Sequence, residues 1–338
     1  MSTASPARRT IAVMLLVPAV VALALWAFAW PAARMAPHDL PVGVAGPAAS
    51  TAPLEQRLEH RQGAFDLHRY GNEAAARQAI EDRAVYGAVV MTPEGPKVLT
   101  ASAASPVVAQ LLRESVAAGA PPGARVATED VVATPAGDPR GSALASSVLP
   151  LSLAGVAAGA MVTVLGLRGI RSVVALSGAA ALVGLTATGL AHSWLGVLAG
   201  GWWAEAGAFT LATLAVGAAV AGLAALLGPA GIGLGSLLVV LLGNPFSGVA
   251  TAPELLPEPA GLIGRWLPPG AGGSLLRSVA YFDGNGAGGP ALTLALWAAL
   301  GLTAVLIGGR RRTAATALAA TPPSGPGPGP APAPAPAG

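Results

Sequence analysis

Two ionisable residues in the apolar part of the sequence, His192 and Glu205, could carry protons. Acids and histidines inside membrane segments are the side chains that proton-coupled pumps use as relays. His192 follows one apolar run and Glu205 precedes another, so we expect both at an interface, in contact with headgroups or water. The apolar runs contain neither a Ser/His/Asp set nor paired carboxylates. The sequence therefore predicts no catalytic residue and no enzyme.

The polar residues give little support for metal or nucleotide chemistry. His60 and His68 lack a third ligand at a sensible spacing, so we interpret them as surface histidines. Without cysteine, the chain can form neither disulfides nor thiolate metal sites. A P-loop needs a lysine after its glycines, and the only lysine, Lys97, stands in the unrelated stretch EGPKV. We predict no bound metal and no other cofactor.

A proline at an unusual place makes one polar stretch more informative. The apolar residues 230–243 would rise roughly 20 Å as a helix, against about 30 Å of membrane hydrocarbon. Pro245 follows at once, lacks an N–H, and its ring opposes the carbonyl of Leu241. Either the helix continues through Pro245 or the chain turns at membrane depth. Asn244 and Ser247 are near enough to bond the carbonyl that is freed.

The chain after this proline predicts two short amphipathic helices, residues 259–267 and 274–282, separated by the stretch Pro-Pro-Gly. Each helix carries one arginine. Such a pair is typical of a re-entrant segment at the outer membrane surface, and an ordered loop that plugs the bundle is the alternative. We take six residues of this segment as a candidate outer gate: Asn244, Pro245, Ser247, Arg265, Trp266 and Arg277.

The elements that would position these residues are apolar helices. Positive mean hydropathy and few charged residues indicate a multispan membrane protein. The first apolar run could be a cleaved signal peptide, but it is longer than the usual apolar region of one, so we predict a span. The predicted spans are residues 11–30, 148–167, 173–191, 206–227, 230–243 and 290–308.

Arginine and tryptophan predict the same orientation for these spans. Arginines stand before the first span, between the second and third, and after the last, which places both termini in the cytoplasm by the positive-inside rule. Tryptophan prefers the headgroup region. The tryptophans fall at or near predicted outer ends: Trp26, Trp30, Trp194, Trp202, Trp203, Trp266 and Trp297. We expect a multi-pass protein of the cell membrane, in contact with lipid.

Residues 37–143 have the composition of a soluble domain, which the topology makes extracytoplasmic. Short strands alternate with helical stretches, which predicts a small α/β domain with a partly parallel sheet. Asn72 and Ser105 are suitable N-caps for two of its helices. The fold class is thus an α-helical polytopic membrane protein with six transmembrane helices and an extracytoplasmic α/β insert between helices one and two.

The sequence divides into four parts. Residues 1–36 form a cytoplasmic N-terminus and the first transmembrane helix, and residues 37–143 the extracytoplasmic domain. Residues 144–309 form a five-helix transmembrane domain with an outer re-entrant segment, residues 244–284. Residues 310–338, rich in Pro, Ala and Gly after three arginines, are expected to be a disordered cytoplasmic tail.

The order of these parts resembles the ABC-2 type permeases of ABC exporters, in the branch with a large extracytoplasmic insert that also contains the phage-infection-protein-like membrane proteins. Four stretches carry the resemblance: residues 72–90 (NEAAARQAIEDRAVYGAVV), 244–248 (NPFSG), 253–257 (PELLP) and 267–271 (LPPGA). It implies a permease that works as a homodimer or heterodimer with a separate ABC ATPase subunit. Such a permease would export an amphipathic or lipid-like substrate, with the outer helical pair closing the exit.

Two other function classes stay open. The α/β domain could be a receptor surface held by a passive membrane anchor, or the whole chain could be an envelope scaffold that transports nothing. Binding of nucleic acid is not expected, because the basic residues are dispersed and form no clustered face.

Overall fold

The computed structural model describes residues 6–59, 63–119 and 126–320. This part of the chain is mostly helical and has six helices that are long and apolar enough to cross a membrane, in agreement with the six predicted runs. His60 lies outside the described residues. Of the predicted tail, residues 310–338, only the part up to Ala320 is described, and it continues the last helix. The six segments are Thr10–Ala33, Ser142–Val164, Ile170–Trp194, Trp202–Leu227, Pro229–Phe246 and Gly288–Gly308.

The bundle is built around α7 (Trp202–Leu227), the most buried of these helices. It packs against α5 (Ser142–Val164), α6 (Ile170–Thr188) and α12 (Gly288–Ala320). Small residues permit this close packing: a Cβ at Gly159 of α5 would lie 2.6 Å from the carbonyl oxygen of Gly217. The π-helical turn Gly189–Trp194 extends α6 before the chain reaches α7.

The first helix, α1 (Pro6–Ala33), is attached to the bundle at one end only. Most of its apolar side chains are exposed, as expected of a helix surrounded by lipid. Near its C-terminal end, Trp26 and Trp30 stack with ring centroids 5.4 Å apart, and both rings meet Phe246 edge-on. These aromatic contacts join α1 to the fifth membrane segment.

That fifth segment is longer than the sequence indicated. It starts as α8 (Pro229–Ser236), widens into a π-helix (Leu237–Gly243) and ends with α9 (Asn244–Phe246). Eighteen residues rise roughly 27 Å at the α-helical repeat, close to the hydrocarbon thickness. Of the two predicted alternatives, the helix therefore continues through Pro245. The wider π-helical turn before the proline relieves the clash of its ring with the preceding carbonyl.

Two further helices follow, α10 (Ala260–Trp266) and α11 (Pro268–Tyr281), and the second differs from its prediction. It begins at Pro268, six residues before the expected start, because prolines fit the first turn of a helix, where an N–H has no partner. Nearly all of α11 is buried against α5, α7 and α12. It thus lies inside the bundle and is not an amphipathic surface helix.

The α/β domain has a five-stranded sheet in the order β2-β1-β3-β4-β5. The β3–β4 pair is antiparallel and the other pairs are parallel, which confirms the partly parallel sheet. The strands are β1 (Leu40–Ala45), β2 (Phe65–Tyr70), β3 (Gly87–Thr92), β4 (Gly95–Thr100) and β5 (Ala127–Asp130). The helices are α2 (Ala48–Glu59), α3 (Glu73–Glu81) and α4 (Pro106–Gly119).

Both predicted caps are present in this domain. The side chain of Asn72 accepts a hydrogen bond of 2.9 Å from the backbone N–H of Ala75, and the Ser105 hydroxyl accepts one of 3.2 Å from Val108. The domain's two apolar clusters also contain residues that follow the fifth membrane segment: Phe282 in one, and Ala252 and Leu255 in the other. The domain is therefore packed directly onto the helical part of the molecule.

Candidate functional site

A cavity of about 560 Å³ lies between the α/β domain and the helices, and we call it the junction cavity. The loop after α3 forms one wall, the segment between α9 and α10 another, and α10, α11 and the start of α12 the rest. Its polar and aromatic lining residues are Arg83, Tyr86, Ser247, Glu254, Arg265, Trp266, Ser274, Arg277 and Thr293.

Hydrogen bonds across the junction hold these walls together. The Tyr86 hydroxyl donates to Oε2 of Glu254 over 2.8 Å, and the backbone N–H of His38 donates to the Glu254 carbonyl over 2.8 Å. Asn285, between α11 and α12, donates from Nδ2 to the carbonyl of Glu81 over 3.2 Å. The domain therefore rests on the helices through specific polar contacts as well as through apolar packing.

Arg277 is buried on α11, with 7% of its surface exposed. Its Nη2 donates to the carbonyl of Val249 over 2.7 Å. This bond ties α11 to the loop that leaves α9. Since guanidinium carries five N–H donors, most of the hydrogen-bonding capacity of Arg277 is not used by this contact.

Arg83 reaches the same helix from the domain. It follows α3 in the left-handed conformation, with a φ of 60°, which turns its side chain out of the helix line. Its Nη1 donates to the Ser274 carbonyl over 3.1 Å and to the Ser278 hydroxyl, and its guanidinium lies 5.3 Å from the ring centre of Phe282. Burial, and then the charge of Arg277, lower the pKa of Arg83 to about 10.

Glu254 is the carboxylate that lines this cavity, and it already has partners. Oε1 accepts a hydrogen bond of 2.5 Å from Nη2 of Arg265, and Oε2 accepts the Tyr86 bond. Burial, with the charge of Glu254, raises the pKa of Tyr86, so this tyrosine stays protonated and remains a donor. Glu254 thus connects α10 to the domain.

The structure brings together four of the six residues of the candidate gate. Ser247, Arg265, Trp266 and Arg277 line the junction cavity, and Asn244 and Pro245 do not. Asn244 and Ser247 were expected to bond the Leu241 carbonyl, but Ser247 donates its hydroxyl to the Asn244 carbonyl over 2.6 Å. Nδ2 of Asn244 is buried without a hydrogen-bond partner within the described residues.

Sequence reasoning missed five polar and aromatic residues of the cavity: the hydroxyl residues Ser274 and Thr293, and Arg83, Tyr86 and Glu254, which make the contacts across it. Arg83 and Tyr86 lie in the stretch of residues 72–90, and Glu254 in residues 253–257, both of which were recognised as patterns. Nothing in either pattern indicates that the two meet, since about 170 residues separate Tyr86 from Glu254.

The position of Glu205 beside His192 differs from the one predicted. Glu205 was expected in contact with headgroups or water, but it is fully buried. It accepts a hydrogen bond of 2.9 Å from the backbone N–H of Gly200, and its Oε2 lies 2.9 Å from Nδ1 of His192. The pair therefore fastens the loop of residues 195–201 between α6 and α7.

The other histidine considered as a metal ligand, His68, has no metal-binding environment among the residues that the structure describes. His68 is exposed and lies 3.0 Å from Asp66 on the same strand. Within the described part of the chain, no group of three His, Asp or Glu residues is arranged to hold a metal ion.

Comparison with known proteins finds no match for this chain. No protein-family model matches the chain, nor does any curated protein or any solved structure. The functional argument therefore rests on the geometry of the junction cavity and of the helices around it.

That geometry combines a polar floor with an apolar edge. Arginines from the domain and from α11 form the floor, and Leu262, Trp266 and Leu292 stand exposed around it. Because α11 also packs against α5, α7 and α12, a movement of α11 at the cavity would change its contacts with these helices. The arrangement is suited to binding a molecule at the edge of a membrane.

Proposed function

We propose that the chain is an integral membrane transport protein, the permease subunit of an ABC-type exporter. It would move an amphipathic or lipid-like molecule outward with energy from a separate ATPase. The observation that carries the proposal is the position of α11, which lines the junction cavity with one face and packs into the centre of the bundle with others. A ligand in the cavity is thereby connected to the membrane helices.

The distribution of arginine supports an outward-facing cavity. Arg168 lies in the loop between α5 and α6 and Arg171 in the first turn of α6, at the opposite ends of these helices from the α/β domain. Positively charged loops stay in the cytoplasm. The domain and the junction cavity would then face outward, with Ser247, Arg265, Trp266 and Arg277 as the outer gate.

The ion pair of Arg265 with Glu254 would be the latch of this gate. It links α10 to the short turn Pro253–Leu255, and Glu254 also holds Tyr86 of the domain. Opening this one carboxylate contact would separate α10 from the domain side of the cavity. A partly exposed ion pair contributes only about 0–1 kcal/mol, so the latch could open at low cost.

Affinity purification from native membranes tests the proposal. We expect an ABC ATPase to co-purify with the chain, and deletion of the chain to reduce efflux of amphipathic compounds. If no ATPase co-purifies and efflux is unchanged on deletion, the exporter function is wrong. The variant Glu254→Gln, compared with Glu94→Gln on an exposed turn, tests whether the latch takes part in efflux.

One observation favours a second candidate, a receptor or envelope scaffold that transports nothing. The connections on the side opposite the domain are short, comprising residues 165–169 between α5 and α6 and Gly228 between α7 and α8. An ATPase would find little surface there, whereas the domain offers a large one. Crosslinking of the full chain in intact cells distinguishes the two: a receptor yields envelope partners of the domain and no ATPase.

A further inference from the structure

Two cations of the junction cavity, Arg83 and Arg277, have no ion-pair partner among the described residues, and Glu254 is the single acid in the lining beside three arginines. In the described part of the chain, neither Arg83 nor Arg277 forms an ion pair with a carboxylate. Their hydrogen bonds go to carbonyl and hydroxyl oxygens of Ser274, Ser278 and Val249. Glu254 is occupied by Arg265 and Tyr86.

A buried cation without a counter-charge is costly, and two neighbouring cations add their mutual repulsion. Ser274, which Arg83 contacts, lies one helical turn before Arg277 on α11, so both guanidinium groups meet the same stretch of this helix. At a pKa of about 10, Arg83 remains protonated at neutral pH. An anion in the cavity would offset both costs.

The edge of the cavity is apolar. Leu262 and Trp266 on α10 and Leu292 on α12 are 62%, 62% and 61% exposed. Leu292 is four residues from the start of α12, which corresponds to a depth of roughly 6 Å along the helix. Tryptophan is typical of this headgroup level. The cavity therefore has an apolar surface beside its cationic floor.

We propose that the junction cavity binds the oxyanion headgroup of an amphipathic molecule, with the oxyanion at Arg83 and Arg277 and the apolar chain against Leu262, Trp266 and Leu292. The planar donors of arginine match the oxygens of a phosphate group. The inference rests on the proposed function in treating this molecule as the exported class. It goes further in naming the charge and chemistry of the ligand.

Thermal unfolding of the delipidated full chain in a non-ionic detergent tests this site. The probes are phosphatidylglycerol, diacylglycerol with the same acyl chains, which lacks the phosphate group, and inorganic phosphate. We expect phosphatidylglycerol to raise the midpoint saturably and the other two to have much weaker effects. Equal effects of the two lipids would overturn the anion site, and an equal effect of inorganic phosphate would overturn the assignment to an amphipathic molecule.

Arginine variants test whether the lipid phosphate binds at Arg83 and Arg277. Arg277→Gln and Arg83→Gln should each weaken the apparent affinity for phosphatidylglycerol about tenfold or more, because each removes charged hydrogen bonds. Arg34→Gln, which removes an exposed cation just after α1, is the matched control and should leave the affinity unchanged. If Arg277→Gln does not fold, Arg83→Gln answers the same question. Unchanged affinity in the arginine variants that fold would contradict the proposal.

A second measurement tests where the acyl chain of the bound lipid lies. Phosphatidylglycerol with brominated acyl chains should quench tryptophan fluorescence, and Trp266→Phe should lose a larger part of this quenching than Trp203→Phe, which removes a similarly exposed ring on α7. Equal losses would overturn the position of the chain. If binding follows the predictions but no efflux or ATPase is found, the site stands and only the exporter function fails.

Discussion

At the scale of single residues, buried Glu205 and partly exposed His192 form a polar contact between two membrane segments. Glu205, in the first turn of α7, bonds both the Gly200 N–H of the loop and the ring of His192 at the end of the π-helical turn, so it joins three consecutive parts of the chain. Glu205→Ala would leave the partly buried Gly200 N–H without its partner, and an unpaired buried donor costs at most about 1–3 kcal/mol. We expect a lower midpoint of thermal unfolding in detergent.

Glu205→Gln is the matched control for this variant. The amide oxygen can still accept from Gly200, and the amide nitrogen can still donate to the neutral ring of His192. Its unfolding midpoint should therefore lie much closer to that of the wild type. A midpoint as low as that of Glu205→Ala would show that the charge of Glu205, and not its hydrogen bonds, stabilises the turn.

A cluster of four side chains on the α/β domain predicts a dependence on pH. Glu129 pairs with Lys97 over 2.9 Å and with Arg77 over 2.7 Å, and Glu73 also bonds Lys97. The hydrogen bond from Lys97, and then that from Arg77, lower the pKa of Glu129. Its stabilising contribution is therefore complete above its unfolded pKa of about 4.3 and is lost as the pH falls through its lower folded pKa.

Hydrogen exchange of the full chain measures this dependence. Protection of β5 and α3 should fall in acid, and Glu129→Gln should already show reduced protection at neutral pH with a flatter acid profile. Glu94→Gln, on the exposed β3–β4 turn, should retain the wild-type profile. An unchanged profile in Glu129→Gln would show that the cluster does not stabilise the sheet.

At the scale of elements, the close contact between α9 and α10 fixes the position of α10. Gly264 lies against the carbonyl of Phe246, and a Cβ at this position would overlap that oxygen. The neighbouring atom is backbone and cannot rotate away. Gly264→Ala should destabilise the protein by about 1–3 kcal/mol, the usual cost of overpacking, in a thermal unfolding measurement.

Gly178→Ala on α6 is the control, because a Cβ there meets no neighbouring atom within 4 Å. Both positions are helical, so the gain in helix propensity is the same and only the contact differs. If the two variants unfold alike, α9 and α10 are not held together as the structure shows.

The elements also show where sequence reasoning succeeds and where it stops. Apolar runs and N-caps are local signals, so the six long helices and the caps at Asn72 and Ser105 could be predicted. The stretch Pro-Pro-Gly predicts a linker between two helices, but a proline also fits a helix start, and α11 begins at Pro268. The burial of Glu205 and the meeting of Arg83 with α11 depend on contacts between distant segments, which no local pattern contains.

At the scale of the whole molecule, the α/β domain lies at one end of the bundle, and Arg168 and Arg171, where α5 is followed by α6, lie at the other. This arrangement predicts that the two are on opposite sides of the membrane, with the domain outside. The chain contains no cysteine, so single cysteines introduced at exposed sites can report the side without a background signal.

Glu94→Cys on the exposed β3–β4 turn and Ile170→Cys at the start of α6 are the two reporters, since both positions are exposed. A membrane-impermeant maleimide should label Glu94→Cys in intact cells and Ile170→Cys only after the membrane is permeabilised. The reverse pattern would place the junction cavity in the cytoplasm. In the proposed exporter, a cytoplasmic cavity would take up the substrate and could not release it. The ion pair of Arg265 with Glu254 would then close an entrance and not an exit.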